Sequence, residues 1–467
     1  MRNRILCSHS SAVVGSTIEH PRWAPVAGVK LLPLSFGIMS GAAAHSNNDH
    51  QSKKRAVVVY ARAGEGHLAA AQTLQRILEG DPNIEVLLRD GETLDSDTPG
   101  PGSVVELWNL LIRKGWFRLA DWIFNHWLRV LGFPLLAITA GEKVKAHLKA
   151  LRPDAVLSTA DIYNRALGDA ATDLAVPFTV MPVEFSIFAD LLHPAAEYLC
   201  SFEETARAIR RFDLSAPYFR SSIPDGTSWM NRLRYFANWV QFYGVMRTEP
   251  LLFQRAGNTA PGTNGLACHV IGPLRRPEDH APAGDPPPGE RPRILVVSGS
   301  LGGRFVVSVV RRLCASSDLV ADVVAICGRD EAAIAELSAL TSSRSSPVRV
   351  ECLGFAADLP DRFRKASVMI ARPSATVFLE VILAGLPLLI PARATRNDMG
   401  TVELLEAWRI GETYRSEYEI PSILAAMLPR LGEYRERIRG IRSRQHDTLE
   451  TVSQRIRAVT WRSVRTP

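Results

Sequence analysis

The stretch Arg55-Ala-Val-Val-Val-Tyr60, followed by Ala63-Gly64-Glu65-Gly66-His67 and then Leu68-Ala-Ala-Ala71-Gln72-Thr73-Leu74, decides how the first half of this 467-residue chain folds. A valine run bounded by glycine reads as a strand buried on both faces, and the Ala/Leu-rich run behind it reads as a helix. Between them the glycines let the chain turn sharply and bring its backbone close to a ligand. The helix that opens there offers unpaired N–H groups and partial positive charge, so the turn suits a phosphate or a developing oxyanion. His67 stands at its mouth. Taken alone, the pattern equally fits a plain strand-to-helix turn with an incidental histidine.

Alternation of short apolar strands with helical stretches continues through Ile84–Arg89, Ala155–Ser158 and Phe178–Met181, which predicts right-handed β-α-β units around a parallel sheet. Turn formers then gather between Arg255 and Arg293, as Gly257–Gly265 and Asp285-Pro-Pro-Pro-Gly-Glu290. A second alternating set begins at Ile294 and runs through Val323–Ile326, Val348–Glu351, Val368–Ala371 and Pro387–Ile390. The expected class is α/β, with two facing Rossmann-like domains, parallel sheets and ligands at the carboxyl ends of the strands. The expected divisions are a disordered or mis-assigned extension at 1–52, with Met39 as a second candidate start, a first domain at 53–254, a linker at 255–292, a second domain at 293–430 and a basic helical tail at 431–467.

A content of 46% hydrophobic and 22% charged residues is ordinary for a globular protein, and no stretch holds eighteen continuous apolar residues, so no spanning helix is expected. Cysteines at 7, 200, 268, 314, 327 and 352 lack Cys-x-x-Cys spacing and read as reduced residues of a cytosolic protein, without a zinc signature. The net charge of +7 is uneven: residues 1–55 carry +5, 430–467 carry +6, and the body between them is −4. A basic tail fits an anionic leaflet, at roughly 1 kcal/mol per Lys or Arg, as well as it fits a solvated helix; no nucleic-acid partner is expected.

A second strand, Ser367-Val-Met-Ile-Ala371, ends in Arg372-Pro-Ser-Ala-Thr-Val-Phe-Leu-Glu380 and Val381-Ile-Leu-Ala-Gly-Leu-Pro387. With Gly64-Glu-Gly-His67, this segment resembles the glycosyltransferase family of monogalactosyldiacylglycerol synthase and the processive diacylglycerol glucosyltransferases (family 28-like), over roughly residues 56–430. Ile294-Leu-Val-Val-Ser298-Gly-Ser-Leu-Gly-Gly303 looks like the family's second glycine loop, Val324–Arg329 like its inner strand end and Leu353-Gly-Phe355 like its nucleobase turn. The resemblance implies the GT-B fold and a UDP-sugar-dependent hexosyltransferase without an organic cofactor. It implies His67 as base or acceptor-site residue, and Glu380 on the ribose. The chain departs from the family where Thr-Asp becomes Val183-Glu184, and where Gln-Glu-x-x-Asn becomes Asn397-Asp398-Met-Gly-Thr401. His193 falls where the family has a histidine.

Transfer from a nucleotide sugar needs an activated acceptor hydroxyl and neutralisation of the leaving diphosphate. Histidine suits the first task because its unperturbed pKa lies near working pH, and a carboxylate beside it, here expected from Glu184 in preference to Asp161, would hold its tautomer. Arg372 and the backbone of the Ser298, Gly299, Ser300 and Gly302 loop suit the second task. Phe355, Glu380, Asn397 and Asp398 complete the expected nucleotide-sugar site. No metal is expected, since the second half lacks Asp-x-Asp and Asp95-Ser-Asp97 lies in a Pro/Gly-rich loop.

Trp108, Trp116, Trp122 and Trp127, interleaved with Arg113, Lys114, Arg118 and Arg129, have the composition of a helix lying in a headgroup layer, and Trp229–Tyr243 repeats the mixture. With Gly64 and Gly66 they point to a lipid or lipid-linked acceptor such as diacylglycerol, handled by a peripheral protein on the cytoplasmic face of a membrane. Helices covering the sheet would show the same composition. The alternatives are a UDP-sugar epimerase, which needs no acceptor, and a non-catalytic partner that recruits a glycosyltransferase to membranes.

Overall fold

The computed structural model describes residues 53–63, 65–94, 104–212, 228–242, 265–274, 290–298, 303–342, 346–356, 358–443 and 449–462, with 219, 250 and 252. The expected extension at 1–52 lies outside the described residues, as do Gly64, Gly299, Ser300 and Gly302.

The first half forms a parallel six-stranded sheet in the order β2-β1-β3-β4-β5-β6. Its strands are β1 (Lys54–Tyr60), β2 (Ile84–Asp90), β3 (Ala155–Ser158), β4 (Phe178–Val180), β5 (Ala196–Cys200) and β6 (Ala267–Val270). Ala56 to Val59 are fully buried, as a strand covered by helices on both faces requires. Register pairs Val57 with Leu87 on one side and with Val156 on the other, so β3 is the immediate neighbour of β1. That adjacency sets which side chains meet beyond the strand ends.

The second sheet, also parallel and six-stranded, has the order β12-β11-β10-β7-β8-β9. It contains β7 (Arg293–Val297), β8 (Asp322–Ile326), β9 (Arg349–Leu353), β10 (Val368–Ala371), β11 (Leu388–Pro391) and β12 (Gly411–Tyr414). Its central β10 is wholly buried between β7 and β11, and the helix Ala375–Ala384 leaves from its carboxyl end behind the Ser374 cap. Phe185 and Phe202 from the first half share a core with Phe378 of the second, and Phe202 meets Trp408 edge-on at 4.8 Å.

Three expectations change. The linker expected at 255–292 contains β6, a short edge strand hidden among turn formers, with half-buried residues only. The described part of the basic helical tail expected at 431–467 is helical, but it packs against the body of the molecule. The helix Leu449–Thr460 returns to the first sheet, where Val452, Ile456 and Val459 join the core around Val58 and Leu74. Its arginines serve the fold: Arg457 Nη2 donates to the Ile77 carbonyl at 2.8 Å and Arg455 Nη1 to that of Val270 at 2.8 Å. In the preceding helix Arg435 is buried against Ala366, and Arg437 pairs with Glu433.

The third change concerns the tryptophan-rich region. Phe117–Leu151 is one helix of 35 residues, long and apolar enough by length and composition to cross a membrane, although a third of its most apolar window is buried. From Trp122 to Gly132 it winds as a π-helix. Its inner face, including Phe124, Arg129, Phe133, Val144 and Leu148, packs into the body of the first half.

Candidate active site

The entering helix Gly66–Glu79 carries His67 as its second residue, which places the imidazole beyond the carboxyl end of β1, 3% exposed. His67 Nδ1 meets the Thr159 carbonyl at 2.5 Å, and the Thr159 hydroxyl donates back to the His67 carbonyl at 2.9 Å. A carbonyl can only accept, so Nδ1 carries the proton and Nε2 is left for the other side. There it lies 3.3 Å from Asp161 Oδ2. Asp161, not the expected Glu184, is thus the carboxylate beside the histidine, because β3 lies against β1 while β4, which leads to Glu184, is one strand further out.

Glu184 sits close by and reaches across the molecule, where it accepts from Asn397 Nδ2 at 2.8 Å. Burial pushes the Glu184 carboxyl well above the usual carboxylate range, and the charges of Asp161 and Asp398 push it further. Burial likewise raises Asp161, with His67 and Arg129 opposing. His67, Asp161 and Glu184 each present a ligand atom within 4.8 Å of the others, a grouping that could also hold a divalent cation.

The carboxylates, not the imidazole, face a cavity lined by Asp161, Glu184, Asp190, Arg129 and Asn397 and walled by Trp108, Phe124 and Phe133. Arg129 is buried, pairs with Asp190, donates to Asn125 Oδ1 at 3.3 Å and lies 3.6 Å from the Phe188 ring centroid. Arg129, expected among the headgroup cations, thus turns inward instead, whereas Asn125 and Asp190 carry no motif that the sequence would reveal. Asp161 did have a signal, as an acid just beyond a fully buried strand.

From the second half come Arg372, Asn397 and Asp398. Arg372 follows β10 and Nη2 lies 3.5 Å from Asp398 Oδ2, which also accepts from Thr395 Oγ1 at 3.0 Å. Burial lowers the Arg372 pKa and raises that of Asp398, while each charge supports the other. The structure therefore brings together His67, Glu184, Arg372, Asn397 and Asp398. Glu380 is placed apart from them, on the second turn of its helix in a groove with Gly66, Val183 and Thr376. Phe355 is 73% exposed, with the Arg329 guanidinium 5.7 Å from its ring. Arg329 in turn borders a wide cleft of about 1360 Å³, with Arg304 and Asp330 on its own side and Arg62, Asn109 and Lys114 on the other. Ser298 is buried at the end of β7. His193 is enclosed on Asp169 at 3.0 Å, and burial lowers its pKa, so it is a neutral structural residue.

The expected tryptophan group divides. Trp108 turns inward, edge-on to Phe124 at 4.9 Å, and lines the cavity. Trp116, Trp122 and Trp127 are each more than half exposed, with Leu110, Leu119 and Leu135 beside them in sequence. In the second patch Trp229, Met230 and Leu233 are exposed, whereas Trp239 is buried and donates to the Arg129 carbonyl at 2.7 Å. Tyr243 lies outside the described residues.

No family model matches the chain, and no curated protein matches it in sequence. Solved structures do resemble it. MurG of Acinetobacter baumannii superposes with a TM-score of 0.50 at 15% identity, covering 87% of this chain and 99% of that one. A Polygonum tinctorium UDP-glucosyltransferase that glucosylates indoxyl gives 0.52 at 12% identity over 87% and 98%. Phytolacca americana UGT2, solved with UDP-2-fluoroglucose and pterostilbene, gives 0.51 at 11% identity over 87% and 98%. At such identities the likeness is one of fold: the chain has the GT-B architecture.

Proposed function

We propose that this chain is a glycosyltransferase that moves a hexose from a UDP-sugar to a hydroxyl of a lipid or lipid-linked acceptor, such as diacylglycerol, at a membrane surface. The observation that carries the reading is the pairing of His67 with Asp161 at a cavity that Asn397 of the second half also lines, while Asp398, next in the chain to Asn397, pairs with Arg372. A proton acceptor of the first half and an amide of the second, next in the chain to a buried ion pair, thereby line one space.

In the reaction the acceptor O–H bond breaks as its oxygen bonds to the sugar's anomeric carbon, and the bond from that carbon to the diphosphate breaks with its electron pair leaving on UDP. The proton passes to Asp161, the carboxylate in contact with the cavity, with His67 Nε2 behind it to share the proton. Such general-base help is typically worth roughly 10²–10⁴-fold. Arg372 offers a planar fork for the departing phosphate oxygens, and Asp398 holds it in place until they arrive.

The lipid acceptor rests on the outward tryptophans. Trp116, Trp122, Trp127 and Trp229 stand exposed beside exposed Arg113, Lys114, Arg118, Arg232 and Arg234, a pairing of aromatic rings with cations that fits an anionic bilayer surface. The packed inner face of Phe117–Leu151 supports a helix that lies on the bilayer rather than crossing it, and we propose with it a peripheral protein on the cytoplasmic face.

The test is calorimetric titration with UDP, followed by incubation of the protein with UDP-sugars and diacylglycerol vesicles and mass spectrometry of the lipids. UDP binding and a hexose-mass increase on the lipid are expected. No UDP binding would leave only a recruiting partner, and an epimerised donor formed without acceptor would overturn transfer.

A further inference from the structure

We infer that the helix Phe117–Leu151 couples contact between its tryptophan face and lipid to the position of the donor-side residues, an inference that rests on the transferase reading above. The inner side of this one helix holds three residues of the second half. The Arg372 guanidinium stacks over the Phe117 ring at 5.0 Å. Asp121 accepts from the Arg396 backbone N–H at 2.7 Å and from its Nη1 at 3.0 Å, and His126 Nε2 lies 2.7 Å from the same Nη1. Asn125 Nδ2 donates to Asn397 Oδ1 at 3.0 Å, and Asn397 passes the contact on to Glu184 at 2.8 Å.

The outer side of the same turns is Trp122 and Trp127, whose rings meet edge-on at 5.7 Å, continued by exposed Leu131 and Leu135. Lipid and donor loop therefore grip opposite sides of one segment. Its winding strengthens the argument. π-Helical geometry normally lasts a single turn and is frequent at functional sites, yet here it runs from Trp122 to Gly132. A change of winding by one hydrogen-bond register would rotate Asn125 and His126 relative to Asn397 and Arg396 while the tryptophans swing on the outside. Asp121, Asn125 and His126 are, in this reading, positioning residues: they touch neither substrate but fix the loop that carries Asn397 and Asp398.

Coupling of two binding events is reciprocal, so lipid contact should tighten UDP binding by the same factor by which UDP tightens lipid contact. The experiment measures UDP affinity by calorimetry with and without anionic phosphatidylglycerol vesicles, and vesicle flotation with and without UDP. For the native chain at least about a fivefold shift is expected in each direction. Asn125→Ala, and the milder Asp121→Asn should the first fail to fold, should still float with vesicles yet lose the shift in UDP affinity. Trp122→Ala/Trp127→Ala should lose flotation and the shift together. Native protein that floats but binds UDP equally with and without vesicles would overturn the coupling and leave the transferase reading standing. A chain that binds no UDP in either condition would overturn both.

Discussion

Asp161 Oδ2 lies 3.3 Å from His67 Nε2, and the opposite ring nitrogen is committed to the Thr159 carbonyl. With Nδ1 protonated, the imidazole and the carboxylate can share only one proton between them, so the unit is ready to accept a proton when Asp161 is ionised and Nε2 is bare. Two groups then act as one acceptor. Asp161→Asn and His67→Gln should each lower turnover by roughly 10²-fold or more, because neither amide takes a proton at neutral pH. UDP affinity should change little. The double variant should be scarcely slower than either single one, as expected of residues that act as a unit. Single-turnover transfer for the three variants is the measurement, and multiplicative losses would separate the two roles.

Glu184 predicts a pH dependence of stability whose sign follows from its raised pKa. The folded protein retains this proton at pH values where the unfolded chain, with its ordinary value of 4.5, has released it. Stability is therefore fully supported at acid pH and declines as pH rises from about 4.5 through the elevated folded pKa. Glu184→Gln cannot ionise, and its side-chain carbonyl can still accept from Asn397. The variant should be more stable than native protein at pH 8, with the gap closing toward pH 4.5. Urea midpoints at the two pH values decide the matter; a variant weaker at pH 8 would show that Glu184 is folded as an anion.

The fold was legible for a physical reason, and the site only in part. Strands buried on both faces leave continuous runs such as Ala56–Val59 and Val368–Ala371, which no helical face resembles. Order within the sheet leaves no such trace. Asp161 and Glu184 both follow strands, and which one meets His67 depends on β3 lying against β1, a pairing fixed by crossover packing rather than by local sequence. The tryptophans are ambiguous because composition does not say which face each one takes: Trp108 and Trp239 turn inward on their own helices, while Trp122 and Trp127 stay outside on a π-wound segment whose periodicity departs from 3.6 residues. β6 leaves little trace in the sequence, because an edge strand of four half-buried residues carries little apolar signal.

The grouping of His67, Asp161 and Glu184 invites a metal that the proposed reaction does not use. Zinc would occupy the Nε2 lone pair and both carboxylates, and so the Asp161 and His67 atoms that receive the acceptor proton. Zinc is therefore expected to inhibit transfer, chelator to restore it, and inhibition to weaken as pH falls and the ligands protonate. Steady-state transfer across a zinc titration checks this. Activation by zinc, or loss of activity on chelation alone, would turn the trio from a proton-accepting site into a metal centre.

The approach of the two halves can be tested at Gly400, without reference to catalysis. Its backbone N–H donates to Ser186 Oγ at 2.8 Å, and a Cβ added there would lie 2.5 Å from the Phe185 carbonyl carbon and 2.6 Å from the Ser186 nitrogen. Those are backbone atoms, which cannot swing aside as a flexible side-chain tip can. Gly400→Ala should therefore cost about 1–3 kcal/mol, the range for inserting a methyl group into a packed interior. Gly440, within the helix Leu431–Ser443, has nothing within 4 Å of the same added carbon. There alanine meets open space and only removes the backbone entropy of a helical glycine, a gain of about 0.5–1 kcal/mol. Opposite signs from one chemical change exclude a general effect of glycine replacement on the unfolded chain. If urea unfolding shows Gly400→Ala to be as stable as native protein, the contact between the Phe185–Ser186 loop and the helix Met399–Trp408 is not a feature of the chain in solution; if the loss appears, turnover should fall with it, because the same approach sets Asn397 against Glu184.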